Sequence, residues 1–272
     1  MDGSGQVDLG LAGATVVVQG GTQGMGLAAA ECFAAEGAKV GVLARNRANL
    51  DAAVEHLLAL GAADAVALPA DITRPDEVAA VFDQVRERWG ALNSLVNATG
   101  PKSSRMGPFE ELTDDDWLAA IDVGVLGMVR CVRAALPLLR AAEWARIVNI
   151  SAHSTKRQTA SLIAYTAAKS MVTSITKNLS LTLAPDEILV NTVSPGSFAS
   201  EGLATWARGV GIDPGDLHAV MRGIAEHFGH PAHLPRAGAP AEIGAVIAFA
   251  ASRRNTYMTG ANLNVDGGSD FC

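Results

Sequence analysis

Cysteine is scarce: Cys32, Cys131 and Cys272 are the only three among 272 residues, and none forms a C-x-x-C pair. That excludes a disulfide framework, which takes more cysteines in a smaller chain, and it removes the cysteine-based zinc patterns. A reducing, cytosolic compartment is the expectation. Aromatic residues are 5% and charged residues 18%, against 49% hydrophobic, which fits a large aliphatic core and excludes disorder. Basic residues are outnumbered, 21 Lys+Arg to 28 Asp+Glu, for a net charge of -7. A nucleic-acid binder needs a dense basic face, so nucleic acid is not an expected partner. No apolar run is long enough to cross a bilayer, so no membrane span is expected. Residues 1–10 lack the basic start and apolar centre of a signal peptide.

What is present alternates between two patterns. Short β-branched runs read as buried parallel strands: Thr15–Val18, Val40–Leu43, Ala65–Leu68, Ser94–Val96, Ile147–Ile150, Leu189–Val193 and Leu263–Val265. Between them lie Ala- and Leu-rich stretches at helical spacing: Met25–Glu36, Asn46–Leu60, Pro75–Trp89, Thr113–Leu139, Ile163–Leu183 and Ala241–Ser252. Strand–helix alternation means βαβ units and a parallel sheet covered on both faces, so the predicted fold class is α/β: a single-domain, three-layer αβα, Rossmann-type doubly wound sheet. Gly37 reads as the residue that ends the first helix. Thr73-Arg74-Pro75 and Thr113-Asp114-Asp115-Asp116 read as helix starts. One stretch, residues 197–237, breaks the alternation with many Gly and Pro and two short helix-like pieces. It follows the sixth strand, hence lies at the carboxyl edge of the sheet, where ligands bind in such folds.

The first strand runs into Gly20-Gly21-Thr22-Gln23-Gly24-Met25-Gly26. Glycine allows the tight turn and lets backbone N–H groups approach a pyrophosphate, and the following helix directs its positive end at that anion. The second strand ends in Leu43-Ala44-Arg45-Asn46-Arg47, with no acid to take a ribose 2′-hydroxyl and with two arginines suited to a 2′-phosphate. NADP is therefore favoured, with NAD as the alternative.

Tyr165 and Lys169 stand four apart in a helical segment, on one face. A neighbouring ammonium lowers a phenol's pKa, so the pair is suited to exchange a proton with a substrate oxygen while hydride moves to or from nicotinamide. With these motifs in order, the sequence resembles the short-chain dehydrogenase/reductase family along nearly its whole length. Gly20 to Gly26 matches the family's G-x-x-x-G-x-G. Asp71-Ile72 matches its adenine-contacting pair, and Asn97-Ala98-Thr99-Gly100 its N-N-A-G. Tyr165 to Lys169 is its Y-x-x-x-K. Asn191 to Gly196 matches the stretch that covers the nicotinamide, and Tyr257 to Gly260 and Val265 to Gly268 match the C-terminal end. The resemblance implies that Tyr165 is the general acid in reduction and the base in oxidation. It implies that Lys169 lowers the Tyr165 pKa and holds the nicotinamide ribose, and that Pro195, Gly196, Phe198 and Ser200 line the nicotinamide. It also implies a small carbonyl or alcohol substrate and a homotetramer or homodimer packed through the long helices.

Two positions depart from that pattern. The family's serine, thirteen residues before the tyrosine, falls at Ala152, which has no hydrogen to donate. Ser151, His153 and Ser154 are the neighbouring candidates. A one-residue offset at a strand end reverses side-chain direction, which counts against Ser151 and leaves Ser154 as the preferred donor. The family's helical asparagine falls at Gly124, where a mid-helix glycine points to a kink or a close contact. His153, His218, His227, His230 and His233 lack a companion set at metal spacing, and no metal site is expected. Leu203, Trp206, Met221 and Phe228 stand evenly between lining an apolar pocket and packing the short helices onto the domain.

Overall fold

The computed structural model describes residues 8–101 and 105–269, so Cys272 lies outside the described residues. Seven strands form one parallel sheet in the order β3-β2-β1-β4-β5-β6-β7. They are β1 (Thr15–Gln19), β2 (Lys39–Ala44), β3 (Asp64–Pro69), β4 (Ser94–Asn97), β5 (Ala145–Ile150), β6 (Ile188–Pro195) and β7 (Asn262–Val265). The helices are α1 (Gly24–Ala35), α2 (Arg47–Ala59), α3 (Pro75–Trp89), α4 (Asp114–Ile121), α5 (Gly127–Arg140), α6 (Ile163–Thr182), α7 (Glu201–Gly209), α8 (Leu217–Phe228) and α9 (Pro240–Ala250). Every residue of β1, β4 and β5 is buried, because a parallel sheet is covered on both faces. One core joins α3, α5 and α6 to the sheet through Phe82, Cys131, Leu138 and Val172. The other joins α1, α2 and α9 through Phe33, Leu50, Leu57 and Ile247. The chain order reverses between β1 and β4, so a crevice opens beyond their carboxyl ends. No helix among the described residues is long and apolar enough to cross a membrane.

The helix boundaries follow local chemistry. Gly37 takes φ 75° after α1, as its place demands. Thr113 caps α4 in a reciprocal pair with Asp116. At α3 the cap residue is Arg74 rather than Thr73, whose N–H and hydroxyl are bound by Asp71. The expected single helix over Thr113–Leu139 is two, α4 and α5, joined without a break by a π turn at Asp122–Leu126. Gly124 sits in that turn, where a Cβ would come within 3.0 Å of Pro101 Cδ, so the close contact is the pyrrolidine ring. The insertion holds α7 and α8 around a small core of its own: Met221 is buried there, and Leu203, Trp206 and Phe228 pack against it. Leu203, Trp206 and Phe228 are used in packing, while Met221 also lines a small cavity with Phe198 and Leu234.

Candidate active site

The glycine turn closes on itself by backbone approach. A Cβ on Gly26 would lie 2.3 Å from Gly20 O, and one on Gly20 would lie 2.7 Å from Thr99 Oγ1. Gly20 and Gly24 take φ 82° and 57°, and nothing stands within 4 Å of the space beside Gly24. The Gln23 side chain does not cap α1 and no acid occupies its first turn, so the N–H groups of Gly24, Met25 and Gly26 are left for an external acceptor. Thr22 and Gln23 lie on the lip of the turn, and Met25 packs toward the second core. That cradle fits a pyrophosphate: bare helix donors, positive end charge and no side chains in the way. Gln19 also shapes it, accepting from Thr99 N at 3.1 Å, and the sequence reading missed that contribution.

Beyond β2, Arg45 is 80% exposed and 3.9 Å from the Asp71 carboxylate. Arg47 is committed to Asp51 through both carboxylate oxygens, so Arg45 is the cation available at this edge. Asn46 accepts from Asn49 N and caps α2. Asp71 accepts from Thr73 N and Oγ1, and those bonds, with Arg45 and Arg74 nearby, hold its carboxyl below the usual range. The Ile72 side chain is in the core against Gly127, and its carbonyl accepts from Arg130 Nη1 at 3.1 Å.

Asn97 braces the scaffold. Its Nδ2 donates to Asn149 Oδ1, whose Nδ2 donates to Thr176 Oγ1, which ties β4 and β5 to α6. Ala98 Cβ lies beside Gly26, and Gly100 lets the Lys169 ammonium approach: a Cβ there would be 3.3 Å from Nζ. Lys169 is buried and donates to Ile150 O at 2.7 Å. Burial lowers its pKa to about 8 and raises that of half-buried Tyr165 to about 12. Desolvation, not the ammonium, therefore sets the direction at the tyrosine, contrary to the sequence expectation.

The loop after β5 carries the three neighbours of Ala152 considered as donors. Ala152 is buried, and the Ser151 hydroxyl is spent on α6, at 2.9 Å from both Lys169 O and Thr173 Oγ1. His153 Nδ1 is 3.1 Å from Pro195 O. The Ser154 hydroxyl, in a residue only 3% exposed, has no hydrogen-bond partner among the described residues. A buried hydroxyl in that condition costs about 1–3 kcal/mol unless something satisfies it. On the β6 side, Gly196 closes against Asp266, where a Cβ would lie 2.6 Å from Cα. The other two expected nicotinamide residues have their side chains elsewhere. Phe198 is buried against Gly238, and Ser200 caps α7 by accepting from Leu203 N. Among the described residues no group of three or more His, Cys, Asp or Glu is placed to hold a metal ion.

A family profile described as enoyl-(acyl carrier protein) reductase matches residues 20–270. The chain belongs to the short-chain dehydrogenase/reductase family. Among its relatives in that family, the short-chain reductase protein NovJ of Streptomyces niveus is 31% identical over 252 residues, 93% of this chain and 92% of NovJ. A 3-alpha-(or 20-beta)-hydroxysteroid dehydrogenase of Mycobacterium bovis is 31% identical over 259 residues, 95% of this chain and 90% of that one. Among solved structures, L-sorbose reductase of Gluconobacter frateurii, complexed with NADPH and L-sorbose, superposes with a TM-score of 0.89 at 28% identity. It covers 98% of this chain and 100% of that one. As a short-chain dehydrogenase/reductase, the protein is an oxidoreductase that moves hydride between a nicotinamide cofactor and a carbonyl–alcohol pair.

Proposed function

We propose that the protein interconverts a small carbonyl compound and its secondary alcohol with NADP(H), using Tyr165 as the proton-exchanging group and Ser154 as the donor that replaces the serine absent at Ala152. The observation that carries this reading is the buried, unpartnered Ser154 hydroxyl on a loop packed against α6, the helix of Tyr165 and Lys169. NADPH supplies hydride to the carbonyl carbon when bound. Gly20, Thr22, Gln23, Gly24, Met25 and Gly26 hold the pyrophosphate by N–H groups and Arg45 meets the 2′-phosphate, with Asn46, Asp71, Ile72, Ala98 and Gly100 along the rest of the groove. Asn97 holds the groove's shape, and Pro195, Gly196 and the backbone of Phe198 and Ser200 face the nicotinamide end.

In reduction, Ser154 Oγ–H donates to the carbonyl oxygen and Tyr165 gives that oxygen its proton as the alcohol forms. In oxidation, the Tyr165 phenolate takes the proton back. A phenol near 12 is protonated throughout the neutral range, which suits the acid role. The NADPH complex of the sorbose reductase supports the cofactor choice. A homodimer or homotetramer is supported by the exposed apolar side chains Leu118 and Leu126 on the α4–α5 unit and Met171 and Leu181 on α6. A cytoplasmic location is supported by the scarcity of cysteine.

The test is titration of the purified protein with NADPH and NADH, followed by a panel of ketones, diketones and hydroxyketones. NADPH oxidation that depends on a carbonyl and falls by about 10²–10⁴ in Tyr165→Phe is the expected result. Ala152 favours one second reading, a cofactor-binding protein with little turnover, and tight NADPH binding with no oxidation across the panel is its signature.

A further inference from the structure

The loop between β5 and α6 carries Ser154 at one end and leads into Tyr165 at the other. Its middle, Arg157-Gln158-Thr159, meets the exit of the insertion. The Arg157 guanidinium donates to three backbone carbonyls: Nη2 to Gly229 O at 3.2 Å, and Nη1 to Pro231 O at 3.3 Å and Ser269 O at 2.9 Å. Gly229 is the left-handed residue (φ 64°) that ends α8, so its carbonyl has no partner in the helix. Between the carbonyls of Gly229 and Pro231 sits His230, 6% exposed, with Nε2 2.5 Å from Thr159 Oγ1. Burial holds the imidazole below its ordinary pKa, so the neutral ring is the one built into the contact. The ring also meets His153 edge-on at 5.6 Å, and His153 Nδ1 in turn reaches Pro195 O. A continuous polar seam therefore runs from the C-terminal segment and the insertion, through residues 157–159, to the loop that presents Ser154.

We propose that Arg157 is a positioning residue for the substrate: by stapling residues 229–231 and Ser269 to the loop between Ser154 and Tyr165, it fixes the substrate-facing wall before a ligand arrives. This rests on the carbonyl–alcohol reading above. Arg157, Thr159, His230 and Ser269 belong to neither main core. Loss of the seam therefore loosens the wall without unfolding the sheet. A pre-formed wall spares the substrate the ordering cost of making one, so the seam acts on substrate affinity. The cradle at Gly20–Gly26 is formed by β1, α1 and the chain after β4, none of which the staple touches. Lysine offers one compact ammonium where arginine offers a planar fork, so Arg157→Lys restores part of the staple at most.

The experiment compares wild type, Arg157→Ala and Arg157→Lys by three readouts: amide hydrogen exchange of residues 229–234, NADPH affinity by fluorescence titration, and KM and kcat with the best carbonyl of the panel. In Arg157→Ala, exchange at 229–234 and KM are each expected to rise by about tenfold or more, a loss on the scale of charge-assisted hydrogen bonds. NADPH affinity and kcat stay within about threefold of wild type, and the lysine variant falls between. Exchange at 229–234 equal to wild type, or a fall in kcat with KM unchanged, overturns the proposal. Should the wild type turn over nothing in the panel, that failure belongs to the functional reading. The exchange arm then still decides: raised exchange upholds the staple and unchanged exchange ends it.

Discussion

The cofactor end and the substrate end of the crevice are built on opposite principles. At the cofactor end, recognition is made by taking side chains away. Gly20 and Gly26 let the backbone turn back on itself, and α1 begins with neither a side-chain cap nor an acid. At the substrate end, side chains do the work and are tied to one another across the chain: Ser151 to α6, His153 to Pro195, His230 to Thr159, and Arg157 to three carbonyls. The first arrangement tolerates no added atom, and the second tolerates substitution as long as the network is re-satisfied. On the proposed reading, the alanine at position 152 is compensated within that network by a neighbouring buried hydroxyl, Ser154.

The comparison is sharpened most by Ser154→Ala, expected to lower kcat by roughly 10²–10³ with NADPH affinity unchanged. Adding Ala152→Ser to that variant is expected to recover part of the rate, and steady-state kinetics on the two variants checks both statements. An equal rate in Ser154→Ala and wild type breaks the idea that the substrate end was rebuilt around this hydroxyl. At the other end, Gly26→Ala places a methyl on Gly20 O and is expected to weaken NADPH binding by about 10²-fold, read by fluorescence titration. Arg45→Ala is expected to weaken NADPH by about tenfold and to leave NADH unchanged, since only the 2′-phosphate loses a charge-assisted partner. The smallest effect is in pH. Lys169, lowered to about 8 by burial, is charged below that pH and neutral above it. Reductive kcat/KM is accordingly expected to decline by a few-fold as pH rises through about 8. Because arginine remains charged, Lys169→Arg is expected to remove that step from the pH profile.

The strands, the glycine turn and the helix starts were legible because each is written in neighbouring residues. The seven predicted runs lie within the seven strands, and Thr113 and Gly37 sit where their side-chain and backbone preferences place them. The π turn was not legible, because apolar spacing continues through it and only Gly124 marks it. The seam at Arg157 was invisible for a different reason: its partners lie 72 to 112 residues away, and a lone arginine in a loop carries no local signal. Asn97, Phe198 and Ser200 show a third limit. Motif spacing says nothing of what a side chain bonds to, and theirs are claimed by Asn149, Gly238 and the start of α7.

The π turn between α4 and α5 also bears on how this chain tolerates changes in length. Each residue advances an α-helix by about 100°, so losing one residue ordinarily swings everything downstream onto a new side. A turn at Asp122–Leu126 that already holds one residue more than the ladder needs is the exception: shortened by one, it reverts to ordinary winding. The inward side of α5, with Met128, Cys131, Val132 and Leu139, would keep facing the sheet, and Ala120 would stay in line above it. What would be forfeited is the local widening that seats Gly124 against Pro101. That one stretch of the long helical unit is therefore a spare link in its winding.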